Sequence, residues 1–344
     1  MHSIVITRPD DWHLHLRDGE LLQHTVPASS AHFARALVMP NLKPPVTSLS
    51  ALLAYRARII EQIPANHRFE PCMTFYLNED LALSDLQQAA QHPYILGAKL
   101  YPAGATTNSE AGVESLQAIY PHLEIMEAQD MVLQIHGEVT QGDIFARETL
   151  FIETQLKPLL VRFPKLRVVL EHISTQAAVD FVKQAPSQVA ATITPHHLLY
   201  NRNHLLAGGL RPHYYCLPIL KRASDQTALQ EAATSGNPKF FAGTDSAPHA
   251  KQTKESACGC AGIYSAPYAI SAYATVFDSL AQLDKLNAFT SQFGAAFYKL
   301  PPNTDSLELI RAPQVIAQEL ALGQDVVIPM GAGTSLNWSV HGPA

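Results

Sequence analysis

Short runs of apolar, often β-branched residues recur along the chain and alternate with segments whose apolar positions follow a helical period. Several runs are almost continuously apolar, as at residues 132–135 and 167–170. Such runs are typical of strands buried on both faces of a parallel sheet. The pattern predicts eight strands, at residues 4–6 (leading toward His13), 36–40, 70–77, 95–101, 132–137, 167–173, 189–194 and 240–244.

Amphipathic segments between these runs predict helices. Residues 49–63 and 112–128 carry apolar side chains at helical spacing, and shorter versions lie at 176–183 and 225–234. One strand follows another about every 35 residues, the length of a strand with its crossover helix. Eight such units predict an α/β fold of the (β/α)8 TIM-barrel type. A doubly wound open sheet is the alternative fold, because the strand count from sequence is open to error.

Three connections after predicted strands are long. They lie at residues 103–112, 200–220 and 246–267, after strands four, seven and eight. Long loops after strands lie on the face where barrel enzymes place their active sites. There is no internal repeat and no linker, so we predict one domain over residues 1–344, with about the last 40 residues, beyond Pro301, as a C-terminal extension.

The composition limits the classes of partner. Hydrophobic residues make up 47% and charged residues 16% of the chain, as in compact globular proteins. The net charge of −6 argues against nucleic-acid binding, and no polybasic patch indicates a membrane surface. No apolar stretch approaches the roughly 18 residues of a membrane span, the N-terminus does not read as a signal peptide, and the four cysteines form no disulfide pattern. We therefore expect a cytoplasmic protein.

The segment His13-Leu14-His15-Leu16-Arg17 is the most informative motif. Side chains at alternate positions of a strand share a face, so His13, His15 and Arg17 would project together. Two adjacent imidazoles provide half of a metal site. An arginine beside them suits an anionic substrate.

Charged or metal-binding residues also follow other predicted strands at their C-terminal ends. They are Lys99 after the fourth strand, His136 after the fifth, His172 after the sixth and Asp245 after the eighth. Taken singly, each has an ordinary structural explanation, such as a hydrogen-bonded core histidine or an aspartate that caps a helix. Together with the two histidines of the first strand, they would converge at one mouth of a barrel. Four imidazoles and a carboxylate can hold divalent cations of the zinc type there.

These residues and their neighbours resemble the amidohydrolase superfamily and, within it, the dihydroorotase family of the compact bacterial type. The similarity covers roughly residues 8–300. The segments that carry it are 8–18 (RPDDWHLHLRD), 39–41 (MPN), 99–103 (KLYPA), 105–108 (ATTN), 136–138 (HGE), 171–173 (EHI) and 243–249 (GTDSAPH).

The resemblance implies a centre with two zinc ions (Zn²⁺) per subunit. Their ligands are four histidines, an aspartate and a lysine that carbon dioxide has converted to a carbamate. In this sequence they are His13, His15 and Asp245 on one ion, His136 and His172 on the other, and carboxylated Lys99 bridging both.

The resemblance also implies a reaction. Dihydroorotases interconvert N-carbamoyl-L-aspartate and L-dihydroorotate in pyrimidine biosynthesis, with a metal-bridging hydroxide as nucleophile. Asp245 is the expected general base and acid, because a carboxylate that binds one metal keeps a second oxygen for the proton. Arg17 is expected to bind the carboxylate of this small-molecule substrate.

The remaining site residues and the oligomeric state follow from the resemblance alone. The implied substrate contacts are the side chains of Asn41 and His249 and the backbone of Leu217 and Ala261. Thr106 and Thr107 lie in a segment that resembles the lid loop of the family. A homodimer is the family expectation.

Three other functions share parts of this pattern. A different binuclear amidohydrolase would use the same metals on another cyclic amide. A non-catalytic relative that serves as a scaffold or partner subunit is the second alternative, although such proteins usually lose metal ligands that this sequence retains. The single-metal deaminases of the same barrel are disfavoured, because they do not need a bridging lysine.

Overall fold

Residues 2–341 are described by a computed structural model. Its strands form one sheet of eight parallel strands and several small antiparallel sheets. The strands are, in chain order, β1 (Ser3–Thr7), β2 (Asp10–Leu14), β3 (Arg35–Val38), β4 (Glu70–Leu77), β5 (Ile95–Leu100), β6 (Val132–Ile135), β7 (Arg167–Leu170), β8 (Val189–Ile193), β9 (Phe240–Ala242), β10 (Ser306–Ile310), β11 (Gln314–Val315), β12 (Leu320–Leu322), β13 (Asp325–Val327), β14 (Ser335–Leu336) and β15 (Ser339–His341). Strands β2 to β9 follow one another in sequential order, each parallel to the next. The predicted (β/α)8 barrel is confirmed, and the alternative of an open doubly wound sheet is wrong.

Hydrogen bonds near the C-terminal ends of β2 and β9 draw the two edges of the sheet together. The backbone N–H of Asp245 donates to the carbonyl of His13 at 2.8 Å. Beneath this contact, the buried carboxylate of Asp11 accepts from the backbone N–H of Thr244 at 2.8 Å and from its hydroxyl at 2.6 Å. The residues that follow β2 and β9 therefore lie side by side.

Helices alternate with the barrel strands. They are, in chain order, α1 (Leu22–Ser30), α2 (Leu49–Glu61), α3 (Leu83–Ala89), α4 (Tyr120–Ala128), α5 (Arg147–Phe151), α6 (Lys157–Arg162), α7 (Gln176–Gln184), α8 (Pro195–Leu199), α9 (Arg202–Leu206), α10 (Ala223–Thr234), α11 (Lys251–Lys254), α12 (Ala269–Ser279) and α13 (Phe293–Phe297). Helices α2 and α7 begin after side-chain caps, because Ser48 and Thr175 each accept a hydrogen bond from a backbone N–H three residues on. Between residues 2 and 341, no helix combines the length and the apolar character that a bilayer span requires.

Strand β1 lies outside the barrel, so the prediction that residues 4–6 belong to its first strand is wrong. It pairs antiparallel with β10, which pairs antiparallel with β15. Its side chains alternate in exposure, since Val5 is 66% exposed and Ile6 is buried, as expected for a half-buried antiparallel strand. The first barrel strand is β2. Its apolar pattern is interrupted by Asp10, which is buried because it pairs with Arg35.

The segment beyond Pro301 forms small antiparallel pairs rather than further barrel units. Strand β10 extends the sheet of β1, while β11 pairs with β14 and β12 pairs with β13. Trp338, near the end of this segment, is fully buried. The C-terminal segment therefore packs against the barrel, and its strand β10 pairs with β1, the strand nearest the N-terminus.

Aromatic side chains fill the end of the barrel at which the strands begin. Trp12 stacks on Tyr298 with ring centroids 4.5 Å apart, and the Phe241 ring lies edge-on 6.5 Å from Trp12. A Cβ atom at Gly294 would lie 2.0 Å from Trp12 Nε1, so only glycine permits this approach. Because this end is packed, space for a ligand lies at the opposite end, where the long loops follow β5, β8 and β9.

Candidate metal centre

The side chains of His13, His15 and Asp245 meet at the C-terminal end of the barrel. His15 Nε2 lies 3.0 Å and His13 Nε2 lies 3.5 Å from Asp245 Oδ1. The two Nε2 atoms are 3.3 Å apart, and all three residues are buried. Two imidazoles and a carboxylate that converge in this way offer part of a coordination sphere for a divalent cation.

The far side of each imidazole is held by another side chain. His13 Nδ1 lies 2.9 Å from Glu171 Oε2, and His15 Nδ1 lies 2.9 Å from Asn41 Oδ1. Because these oxygens accept hydrogen bonds, each Nδ1 carries the proton and each Nε2 presents a lone pair toward Asp245. The rings are thus fixed in the tautomer that binds a metal through Nε2.

Burial sets the charges of this group. Desolvation lowers the pKa of His15 to about 4, so its imidazole is neutral at pH 7. Burial alone would raise the pKa of Asp245, but the adjacent imidazoles of His15 and His13 hold it well below its usual value. A neutral imidazole and an ionised carboxylate are the protonation states that bind metal.

His136 and His172 form a second pair beside the first. Their ring centroids are 4.8 Å apart, and the His172 ring lies 4.9 Å from that of His13. His136 Nε2 lies 3.0 Å from Glu138 Oε2, which leaves its Nδ1 for a metal. His172 Nδ1 is buried and has no hydrogen-bond partner among residues 2–341. Burial lowers the pKa of both imidazoles, so they too are poised to ligate in the neutral form.

Lys99 is fully buried at the end of β5. Its Nζ atom lies 5.1 Å from the centroid of the Tyr101 ring and forms no hydrogen bond within the described part of the chain. Desolvation lowers the pKa of Lys99 to about 8. Since a buried ammonium without a partner is costly, the environment fits a lysine whose nitrogen carries a further group.

A small cavity lies at this end of the barrel, and Asp245 and the four histidines form part of its wall. The wall also includes the predicted substrate-binding and lid residues Arg17, Asn41, Leu217, Ala261, Thr106 and Thr107. His249 lies behind Arg17, where its Nε2 accepts a hydrogen bond from Arg17 Nη2 at 2.9 Å. Burial and the Arg17 charge lower the pKa of His249 to about 2, so it is a neutral acceptor.

The loop at residues 103–112 reaches the opposite wall of the cavity. Thr107 Oγ1 donates to the carbonyl of Ala261 at 3.1 Å. Asn41 Nδ2 donates to the carbonyl of Thr107 at 3.1 Å, while Asn41 Oδ1 faces His15. Asn41 therefore connects a predicted metal ligand with the predicted lid.

Three residues at this end of the barrel have strained backbone conformations. Arg17, His172 and Asp245 have φ angles of 63°, 41° and 46°, in the left-handed region that residues with a Cβ atom rarely adopt. Such conformations persist only where the surrounding structure enforces them, and they cluster at functional sites. They turn the chain sharply where it leaves the strands.

The profile of the amidohydrolase family matches residues 6–331 of the chain. The chain belongs to the amidohydrolase family. Its relatives include the dihydroorotase of Teredinibacter turnerae, 57% identical over 341 residues that cover 98% of this chain and 99% of that protein. The dihydroorotase of Idiomarina loihiensis is 56% identical over 344 residues that cover 99% of this chain and 100% of that protein. The family predicted from the motifs is therefore confirmed.

Three solved structures share the fold. The dihydroorotase of Saccharomyces cerevisiae, crystallised with 5-fluoroorotic acid, matches with a TM-score of 0.90 at 36% identity and 99% coverage of both chains. The dihydroorotase of Campylobacter jejuni matches with a TM-score of 0.91 at 34% identity, covering 99% of this chain and 98% of that chain. The L-hydantoinase of Arthrobacter aurescens matches with a TM-score of 0.80 at 15% identity. The match covers 98% of this chain and 83% of the hydantoinase chain, and it shows a shared fold alone.

Glu138 and Glu171 are functional residues of this amidohydrolase that its sequence motifs alone did not single out. Both lie in segments that resemble the family, two positions after His136 and one before His172. In the structure both are buried. A carboxylate oxygen of Glu138 lies against a ring nitrogen of His136, and one of Glu171 lies against a ring nitrogen of His13. An acidic residue close in sequence to a predicted histidine ligand was the available signal, because such histidines usually donate their second N–H to a carboxylate.

A second group of potential metal ligands consists of His196, His197 and Cys216, whose ligand atoms lie within 4.8 Å of one another. The ring nitrogens of His197 lie 2.8 Å from Thr194 Oγ1 and 3.0 Å from the carbonyl of Pro218. Cys216 Sγ donates to the same carbonyl at 3.3 Å. Hydrogen bonds thus engage His197 and Cys216, whereas both ring nitrogens of the buried His196 have no hydrogen-bond partner among residues 2–341.

Proposed function

We propose that this amidohydrolase catalyses the reversible interconversion of N-carbamoyl-L-aspartate and L-dihydroorotate, a step of pyrimidine biosynthesis. One observation carries the proposal: the Nε2 atoms of His13 and His15 lie within 3.5 Å of Asp245 Oδ1, at the barrel end where the buried Lys99 has an unpartnered Nζ. Relatives named dihydroorotase, 53–57% identical over nearly the whole chain, support this choice of substrate.

The donor set fits two divalent cations, and we propose zinc. The ligands in this proposal are His13, His15 and Asp245 for one ion, His136 and His172 for the other, and carboxylated Lys99 for both. Carboxylation turns the buried amine into an anion with two oxygens, which removes the cost of an unpaired ammonium. When bound, the ions supply an acidified water as the nucleophile and polarise the amide carbonyl.

Asp245 is the residue that moves the proton in this proposal. Its Oδ1 faces His13 and His15, which leaves Oδ2 available for proton transfer. Because its pKa is held well below the usual value, the carboxylate is ionised at neutral pH and can act as a base. It takes the proton of the attacking water and delivers it to the amide nitrogen that leaves the ring.

Arg17, in the cavity wall, is the proposed binding group for the substrate carboxylate. Arg17 Nε donates to the carbonyl of Pro248 at 3.1 Å and Arg17 Nη2 to His249, so the guanidinium is held in one orientation. A fixed guanidinium can bind a carboxylate through two parallel hydrogen bonds. The other proposed contacts are Asn41, His249 and the backbone of Leu217 and Ala261, with Thr106 and Thr107 closing over the substrate.

Location and assembly complete the proposal. A net charge of −6 without a polybasic segment supports a cytoplasmic enzyme that acts on a small molecule and has no nucleic-acid or membrane partner. A homodimer is proposed from the family resemblance. The molar mass of the purified protein in solution tests it, and a single mass of 37.6 kDa would contradict it.

The experiment that tests the function joins metal analysis to a substrate panel. We expect the wild type to hold about two zinc ions per chain and to cleave L-dihydroorotate in preference to hydantoin and allantoin. Lys99→Ala is expected to lose most of the metal and the activity.

Lys239→Ala is the matched control. Lys239 lies just before β9, at the opposite end of the barrel, and its Nζ donates to the carbonyls of Val182 and Lys183. We expect it to keep both metal and activity. Full activity of Lys99→Ala would refute the bridging lysine, preference for another cyclic amide would refute the substrate, and absence of metal from wild type would favour a non-catalytic relative.

A further inference from the structure

Lys254 is a buried lysine at the end of α11 that the proposed mechanism does not use. Its Nζ atom donates to three backbone carbonyls, those of Tyr215 at 3.0 Å, Cys260 at 3.0 Å and Gly262 at 2.6 Å. The residue is only 4% exposed. The three N–H groups of the ammonium are therefore all used within the protein.

This arrangement is unusual for a buried charge. Among the described residues, no aspartate or glutamate forms an ion pair with Lys254, and its contacts are neutral carbonyls. Burying a lysine without a carboxylate is costly, and desolvation lowers the pKa of Lys254 to about 8. The three carbonyls offset that cost only while the two loops that carry them stay in place.

Both of these loops form walls of the cavity at the metal centre. Tyr215 lies two residues before Leu217, and Ala261 lies between Cys260 and Gly262; Leu217, Ala261 and Gly262 line the cavity. The loops also touch directly, since the N–H of Gly262 donates to the carbonyl of Tyr215 at 3.0 Å. Lys254 therefore binds the loop after β8 to the loop after β9 from the side away from the cavity.

The carbonyls around Ala261 are divided between two sides of the chain. Those of Cys260 and Gly262 point to Lys254 Nζ, whereas the carbonyl of Ala261 accepts the hydrogen bond of Thr107 Oγ1 at 3.1 Å. The carbonyl of Cys260, held by Lys254, shares a peptide plane with the N–H of Ala261. The C=O of Ala261 shares one with the N–H of Gly262, which donates to the carbonyl of Tyr215 that Lys254 also holds. Both peptide planes of Ala261 are therefore restricted.

We propose that Lys254 is a positioning residue that aims the backbone of Ala261 at the substrate and at the lid. The inference deepens the proposed function and rests on it, because Ala261 is one of its substrate contacts. Lys254 touches neither the proposed metal ligands nor the cavity itself, so its loss should weaken substrate binding while leaving the metal centre intact.

Lys254→Met tests this role, since methionine keeps most of the side-chain volume and removes the three donors. With L-dihydroorotate as the substrate, we expect KM to rise about tenfold and kcat to change by less than about threefold. Zinc content per chain should equal that of wild type. An unchanged KM in a folded, zinc-loaded variant would overturn the proposal.

Lys239→Met is the matched control, because Lys239 also donates to backbone carbonyls, those of Val182, Lys183 and Ala185, but at the other end of the barrel. We expect it to lower the melting temperature without changing KM. An equal rise of KM in both variants would reduce the role of Lys254 to general stability and overturn the inference.

A double-mutant cycle with Thr107→Val separates positioning from packing. In the wild-type background, Thr107→Val should raise KM, because the hydrogen bond to Ala261 is lost. In the Lys254→Met background it should change KM by less than about twofold, since the carbonyl of Ala261 is no longer aimed at Thr107. Additive effects would overturn the proposal.

Two further outcomes are distinguishable. If Lys254→Met does not fold, Lys254→Gln takes its place in the same cycle, because its amide can donate to at most two of the three carbonyls. If wild type itself fails to turn over L-dihydroorotate, the proposed function is wrong, and this inference falls with it. Turnover by wild type combined with an unchanged KM in the Lys254 variant refutes the positioning role alone.

Discussion

Glu171 Oε2 lies 2.9 Å from His13 Nδ1, although the two residues are 158 positions apart in the chain. The same oxygen accepts a hydrogen bond from Thr192 Oγ1 at 2.5 Å, and all three side chains are buried. The carboxylate holds the His13 ring with Nε2 toward Asp245. A carboxylate behind a histidine also raises its basicity as a metal ligand.

Glu171→Gln is therefore expected to weaken zinc binding about 10- to 100-fold. The substitution keeps the shape of the side chain but removes the negative charge behind His13. It also places an amide N–H₂ or an oxygen of lower basicity against the ring. The zinc dissociation constant, measured by competition with a chelator of known affinity, gives the effect, and circular dichroism reports whether the fold is kept.

Glu148→Gln is the matched control for this prediction. Glu148 is also a buried carboxylate, but it accepts hydrogen bonds from the backbone N–H of Ser174 at 2.8 Å and from the Thr175 hydroxyl. None of its hydrogen-bond partners is a proposed ligand. If both variants lost zinc affinity equally, the contact between His13 and Glu171 would have no particular part in metal binding.

Reconstitution of metal-free protein should depend on bicarbonate. Only a neutral amine reacts with carbon dioxide, and burial lowers the pKa of Lys99 to about 8. Roughly a tenth of the amine is then neutral at pH 7, and this share grows as the pH rises through 8. After chelation and degassing, we expect zinc to restore activity with bicarbonate but not without it. Equal recovery in both conditions would contradict a carbamate at Lys99.

Arg17→Lys is expected to lower kcat/KM for L-dihydroorotate about 10- to 100-fold, mainly through KM. Lysine keeps the charge but cannot form two parallel hydrogen bonds with a carboxylate while contacting Pro248 and His249. Zinc content should not change, because Arg17 is not a proposed ligand. Steady-state kinetics on protein of known zinc content measure the effect.

Arg35→Lys provides the control for this substitution. Arg35 is a buried arginine that binds Asp10 through Nε at 2.9 Å and Nη2 at 2.7 Å, near the start of the barrel strands. Its replacement should lower the melting temperature and leave KM as in wild type. A KM as high in Arg35→Lys as in Arg17→Lys would show that loosening of the barrel, rather than loss of a carboxylate contact, explains the kinetics.

Much of the fold was predictable, because strands buried on both faces leave a readable apolar pattern. Strand β4 begins and ends where the pattern placed it, at residues 70–77. Strand β2 was not predicted from the apolar pattern, because it contains Asp10 and Asp11. These two residues are buried because they bind Arg35 and Thr244, which lie far along the chain. Local sequence cannot show that a charged residue has such a partner.

The same distinction applies to the candidate site. His136, His172 and Asp245 could be grouped because parallel strands of a barrel end on one rim, so a residue that follows a strand is placed by the strand. The contact of His13 with Glu171 and the contacts of Lys254 depend on how side chains cross between loops. They become visible only when the tertiary structure is known.

Gly262 lies in a crowded part of the cavity wall and has a backbone conformation that favours glycine. Its φ angle is +148°, and a Cβ atom there would lie 2.8 Å from the carbonyl oxygen of Ala247 and 2.8 Å from His249 Cδ2. Gly262→Ala should therefore displace the wall that carries Ala261, raise KM for L-dihydroorotate several-fold and destabilise the fold by about 2–4 kcal/mol.

Gly209→Ala is the comparison, since Gly209 has a φ angle of +123° with no atom near its Cβ position. It should cost about 1–2 kcal/mol from backbone strain alone and leave KM unchanged. Kinetics and thermal unfolding of the two variants separate strain from the clash at the cavity, and an unaltered KM in Gly262→Ala would show that this wall does not contact the substrate.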